Sequence, residues 1–114
     1  MLTIETLKDF GADVDGGLAR CMGMKDFYLR LVRTELGDQN FSALDRAIEA
    51  RDVKGAFEAA HALKGAVGNL SLTPLYTPIC ELTELFRDAQ TMPDVSAVHG
   101  RVKQALDRLK ALAE

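Results

Sequence analysis

The sequence predicts an all-α fold, and three observations carry that expectation. Apolar residues recur at helical spacing along most of the chain. Val53, Ala56, Ala60, Leu63, Val67 and Leu70 step 3-4-3-4-3, as do Leu72, Leu75, Ile79, Leu82, Phe86 and Ala89, and Val95, Val98, Val102, Ala105, Leu109 and Leu112. Phe41, Leu44 and Ile48 give a shorter 3-4. Each set lines one face of a helix and lies close to the seam of left-handed bundles. No segment alternates convincingly at period two, and with no Trp and only 6% aromatic residues there is little material for a sheet. Cap and turn residues fall between the stripes, where helices need to stop and start.

The elements follow in order. Two short helices are expected at about 3–9 and 15–22, around Gly11 and Asp13-Val14-Asp15. Gly37-Asp38 divides an amphipathic segment at about 24–36 from one at about 39–50, unless the two run on with a kink. Asp52 stands where an N-cap is needed for a helix over Val53–Leu70. Thr73-Pro74 places a capping hydroxyl before a proline at the first helical position. Pro78 deletes one helical hydrogen bond, so that helix either bends there or starts late, at Thr77-Pro78. Met92-Pro93-Asp94 closes one helix and opens the last. The 114 residues read as one domain, with short N-terminal helices over 1–23 and a helical bundle over 24–114.

Composition narrows the function. The 14 Lys and Arg against 17 Asp and Glu leave a net charge of −3. A nucleic-acid binder would carry a basic excess. No 18-residue apolar run exists to span a membrane, and Met1–Phe10 has neither the basic nor the long apolar region of a secretory signal. Cys21 and Cys80 are too few for a disulfide scaffold and form no CxxC pair, so reduced thiols and a cytoplasmic location are expected.

One histidine asks for a reason. At about 100° per residue, the core direction of the Val53–Leu70 helix lies about 140° from His61, which therefore points outward. Lys54, Glu58, Gly65 and Gly68 share that outer face, while Phe57 and Lys64 sit on its border with the core. Each glycine costs about 1 kcal/mol against Ala inside a helix. Placed beside His61, both would clear the way for a partner's surface, with Phe57 as an apolar shoulder. A neutral imidazole keeps a free lone pair on one ring nitrogen, which can attack an electrophile. A dianionic phosphoryl group on that nitrogen would lie within reach of Lys64 at i+3. On the next helix, Tyr76, Cys80 and Thr83 share one side and would extend the patch. His99 reads as ordinary surface, and a metal site built from His61, His99 and a cysteine has no i, i+4 ligand pair to support it, so no metal is expected.

The run Ala60-His61-Ala62-Leu63-Lys64-Gly65, continuing through Ala66 to Leu72, resembles the signature of histidine-containing phosphotransfer (HPt) domains: His-x-Leu-Lys-Gly followed by small residues. Val14 to Arg20 and Met24-Lys25-Asp26-Phe27-Tyr28 are similar to the family's upstream stretch, so the resemblance covers about residues 13–90. It implies an antiparallel, up-down-up-down four-helix bundle with short N-terminal helices packed on it. It also implies a phosphocarrier that takes a phosphoryl group from the aspartate of one receiver domain and passes it to another. Carried over, His61 is the phosphoacceptor, Lys64 the neighbouring cation and Gly65 the clearance residue; the helical wheel, and not the resemblance, offers Phe57, Glu58, Gly65, Gly68, Tyr76 and Thr83 as docking residues. Ser71 stands where the family often has a second glycine. By spacing, Thr83 holds the position of the family's Gln near the histidine, and its role is open.

The chain lacks a Gly-rich nucleotide loop, a GKS/T motif and a kinase constellation. A transfer partner without kinase activity of its own is therefore expected. Its partners would be response-regulator receiver domains and a hybrid sensor histidine kinase, and neither nucleic acid nor membrane. The expected oligomeric state is a monomer, with no cofactor of its own and with Mg2+ brought by the receiver. Two alternatives stay open: the phosphoacceptor domain of a chemotaxis-type kinase, after which further domains would normally follow, and a receiver-docking module that no longer carries phosphate.

Overall fold

Side-chain caps start four of the seven helices in the computed structural model, which describes residues 1–114. In α1 (Ile4–Phe10) the Thr3 hydroxyl accepts from the Thr6 amide, and the Thr6 hydroxyl accepts from the Thr3 amide. Gly11 ends α1 at φ 111°, a conformation for glycine, and a Cβ there would press on Pro74. Asp13 caps α2 (Val14–Arg20) through the Gly16 amide. The expected segment at 24–50 is two helices and not one kinked helix. α3 (Lys25–Glu35) stops before Gly37, and the Asp38 carboxylate starts α4 (Gln39–Glu49) by accepting from the Asn40 amide. Asp52 caps α5 (Val53–Asn69) as expected, accepting from the Gly55 amide at 3.0 Å.

The last two helices depart from the expected boundaries. α6 (Thr73–Phe86) begins one residue earlier than a Thr73 cap would allow: Leu72 is the N-cap and makes no side-chain bond. Thr73 is already helical, and its hydroxyl turns back to the Ser71 carbonyl. The helix runs through Pro78 and does not start late at Thr77. Pro78 is buried, and the Pro74 carbonyl simply goes without a donor from it. α6 ends at Phe86 because Arg87 turns extended at ψ 123°; Asp88 follows at a left-handed φ of 58°, and Ala89 lies outside the helix. α7 (Ser96–Ala113) starts after Asp94, whose carboxylate accepts from the Ser96 amide and hydroxyl.

The apolar stripes then close the core. Ala56, Ala60, Leu63 and Val67 of α5 are buried, as are Leu75, Ile79, Leu82 and Phe86 of α6 and Val102, Ala105 and Leu109 of α7. α5 packs most extensively on α4 and α6, and α6 packs on α7. Asp45 of α4 ties α7 back: its Oδ1 lies 2.7 Å from His99 Nε2, and its Oδ2 lies 3.8 Å from Lys103 Nζ. His99 is therefore a half-buried link between α4 and α7 and not ordinary surface. Tyr28 fastens α3 to the far end of α5: its hydroxyl donates to the Leu70 carbonyl at 2.8 Å, and its ring occupies the space a side chain on Gly17 would need. Burial, helped by Cys21 and Asp13, pushes the Tyr28 phenol up to about 12, so it stays a neutral donor. At the other edge, α1 lies on α7 with the Arg108 guanidinium over the Phe10 ring. No helix is long and apolar enough to cross a membrane.

Candidate functional site

His61 sits at the middle of α5, on the side away from the buried Ala60, Leu63 and Val67. It is exposed and makes no hydrogen bond within the chain. Its ring lies against Phe57, one turn earlier, with centroids 5.7 Å apart and planes tilted by 32°. Lys64 stands one turn on, half-buried and without an acidic partner. At Gly65 a Cβ would meet nothing within 4 Å, so the helix backbone is open to whatever approaches. His61, Lys64 and Gly65 line one side of a shallow cleft of about 380 Å3. Gly68 and Asn69 of α5, Arg20 of α2 and Tyr76 of α6 line the rest, and no carboxylate does. The cleft thus offers a free imidazole as a nucleophile, two cations and room for another molecule's surface.

A family model described as Hpt domain matches residues 28–112, well over half of the chain. The chain belongs to the Hpt domain family. No curated protein and no solved structure matches it. Hpt domains are helical bundles that carry phosphoryl groups on histidine in phosphorelays; they are phosphocarriers and not catalysts, and they interact with receiver domains and kinases.

The structure distributes the other expected site residues of this Hpt domain unevenly. Gly68 lines the His61 cleft but is hemmed in by α6. A Cβ there would come within 2.7 Å of the Tyr76 ring, so its missing side chain makes room for α6. Thr83 leaves the docking set. It is fully buried, and its hydroxyl donates to the Ile79 carbonyl one turn back, so it reaches neither the imidazole nor a partner. Tyr76, expected in the same docking set, lines the His61 cleft. The Cys80 side chain, one turn on, is the main reason the Tyr76 phenol is pushed above the ordinary tyrosine range. Phe57 is half-buried: it packs on the core, but the Arg87 guanidinium lies over its ring at 5.2 Å, and it borders a groove of about 510 Å3 with Val53, Lys54 and Phe86. Glu58 is exposed, but on another side, in a groove between α4 and α5 with Asn40 and Arg46.

Two features of the site escape spacing arguments. Arg20 reaches the cleft from α2, across 49 residues of sequence, to donate to the Asn69 carbonyl at 3.3 Å and to the Ser71 hydroxyl at 2.6 Å. No periodicity within α5 announces it. Ser71, standing where a glycine is frequent in the family, has a φ of 58°, so a residue with a side chain occupies a left-handed position there. The Arg20 bond to its hydroxyl gives that side chain a use.

Proposed function

We propose that this Hpt domain is the phosphocarrier of a multistep phosphorelay, with His61 as the phosphoacceptor. In the loading step the lone pair of a neutral imidazole nitrogen forms the N–P bond, the P–O bond to a receiver aspartate breaks, and the carboxylate leaves with the electron pair. The reverse chemistry delivers the group to a second receiver. Lys64 favours the charged phosphoimidazole at modest strength, because the pair is exposed to solvent. Gly65 lets the receiver bring its aspartate to the ring. The magnesium ion that phosphoryl transfer between such groups calls for is assigned to the receiver, since the cleft contributes cations and no carboxylates. The observation that carries this reading is the coincidence, on one face of α5, of a hydrogen-bond-free exposed imidazole with open space over the next turn.

The test is transfer from phosphorylated receiver domains to the purified chain. The label is expected on His61, acid-labile and alkali-stable as a phosphoramidate should be. His61→Gln is expected to abolish it with little change in melting, because the side chain faces water. Label that persists in that variant, or that maps to His99, overturns the assignment.

A further inference from the structure

Arg20 is an anchored cation without a counter-charge. Nη1 makes all of its hydrogen bonds, to the carbonyls of Gly16 at 3.4 Å and Asn69 at 3.3 Å and to the Ser71 hydroxyl. Nη2 and Nε make none, and no carboxylate pairs with the guanidinium. Of the lysines and arginines, only Arg87, Arg101 and Lys103 find acidic partners, in Glu84, Glu81 and Asp45, so what distinguishes Arg20 and Lys64 is that they share one cleft. Arg20 and Lys64 therefore stand as two unpaired cations in one cleft of a chain whose net charge is −3. The local sign of the cleft is opposite to that of the whole molecule, and the surface that covers it has to be acidic to match.

The guanidinium is too far along α5 to serve a phosphoryl group on His61. It is tethered at Asn69, eight residues past His61, which at about 1.5 Å per residue is about 12 Å along the axis. Helical side chains lean toward the N-terminus, so His61 leans away from it. A protein surface that reaches His61 over the open turn at Gly65 spans that distance. We propose that Arg20 is a docking residue: its free edge engages a carboxylate on the receiver domain, and this contact selects which receivers exchange phosphoryl groups with His61. The inference rests on the phosphocarrier reading above. The planar fork suits a bidentate carboxylate contact. Holding one nitrogen on α2 and on the turn after α5 lowers the entropy lost when the contact forms.

Two phosphoryl donors separate this role from its rivals. One is a panel of receiver domains charged with acetyl phosphate. The other is phosphoramidate, whose P–N bond breaks to release ammonia as the imidazole takes the phosphoryl group, and which has no docking surface. In Arg20→Met, kcat/KM with the preferred receivers is expected to fall about tenfold more than loading by phosphoramidate falls, mainly through KM, and the dependence on salt is expected to flatten. Arg20→Lys restores part of the loss by returning the charge. Equal slowing with both donors overturns the proposal, because Arg20 would then act on His61 or on the fold. Receiver transfer that stays at the wild-type rate while melting drops also overturns it and leaves Arg20 as a clamp between α2 and α5. Wild-type protein that is loaded by phosphoramidate but by no receiver overturns the phosphocarrier reading itself, and this inference with it.

Discussion

A cation at i+3 and a bare backbone at i+4 are what a helix can set beside an exposed imidazole, and both were legible because all three residues share α5. The two glycines of the outer face separate once α6 is in place. Gly65→Ala is expected to raise the melting temperature, since the new methyl meets nothing and the helix gains up to about 1 kcal/mol. Gly65→Leu keeps the fold and strongly slows transfer from a receiver; an unchanged rate places the interface elsewhere. Gly68→Ala is expected to destabilise by about 1–3 kcal/mol, because its methyl would overlap the Tyr76 ring. A rise in melting temperature instead shows that Tyr76 moves aside freely. Phe57→Ala reports on a residue that serves both core and surface. Its stability cost is expected to fall below the ~3–5 kcal/mol of a fully buried phenylalanine, while receiver binding weakens by about 1–3 kcal/mol. A full core-sized loss with unchanged receiver affinity returns Phe57 to the core alone. Neither Gly68 nor Thr83 was legible, since what surrounds each comes from packing that a single helix does not specify.

At the level of elements, four of the connections between helices turn on a non-glycine residue in the left-handed region: Met22, Arg51, Ser71 and Asp88, each with φ of 57–58°. The commonest residue for that position is glycine, and others pay about 1–2 kcal/mol for the conformation. Arg51 is exposed, and its side chain makes only a 3.5 Å contact to the Met92 carbonyl. Arg51→Gly is therefore expected to stabilise the fold by up to about 1 kcal/mol, the gain being reduced by the extra freedom glycine brings to the unfolded chain. Chemical denaturation measures it, and a loss of stability assigns the Arg51 side chain a larger role than its contacts indicate. Helix starts governed by a single carboxylate, at Asp52 and Asp38, agree with local reasoning because a cap needs only residues within one turn. The start of α6 does not, because the buried Leu72 and the left-handed Ser71 set the chain direction there. Pro78 lies inside α6 for the same reason: burial against the core outweighs one missing hydrogen bond.

The stability of the whole molecule carries a pH dependence from one carboxyl. Glu35 ends α3 with its Oε2 buried and unpartnered. Burial, with the nearby Asp38 carboxyl adding to it, pushes its pKa from 4.5 up to about 8. A carboxyl raised in the folded state binds its proton more tightly there than in the unfolded chain. Its contribution is thus fully present below pH 4.5 and is lost as the pH rises through about 8. Wild-type protein is expected to lose melting temperature across that window more steeply than Glu35→Gln, which has no proton to release; parallel melting curves remove Glu35 as the source. Sequence alone determined the all-helical class, the apolar stripes of α5, α6 and α7, and the placing of His61 and Gly65 on the outer face of α5 with Lys64 at its border. Helical period and capping act over three or four residues, so these properties survive without knowledge of any neighbour. Tertiary structure decided what closes around that face. It brought Arg20 from α2 and Tyr76 from α6 into the cleft, buried Thr83 and put His99 onto Asp45. Those contacts join elements distant in the chain, and they depend on how whole helices pack against one another, which no local pattern encodes.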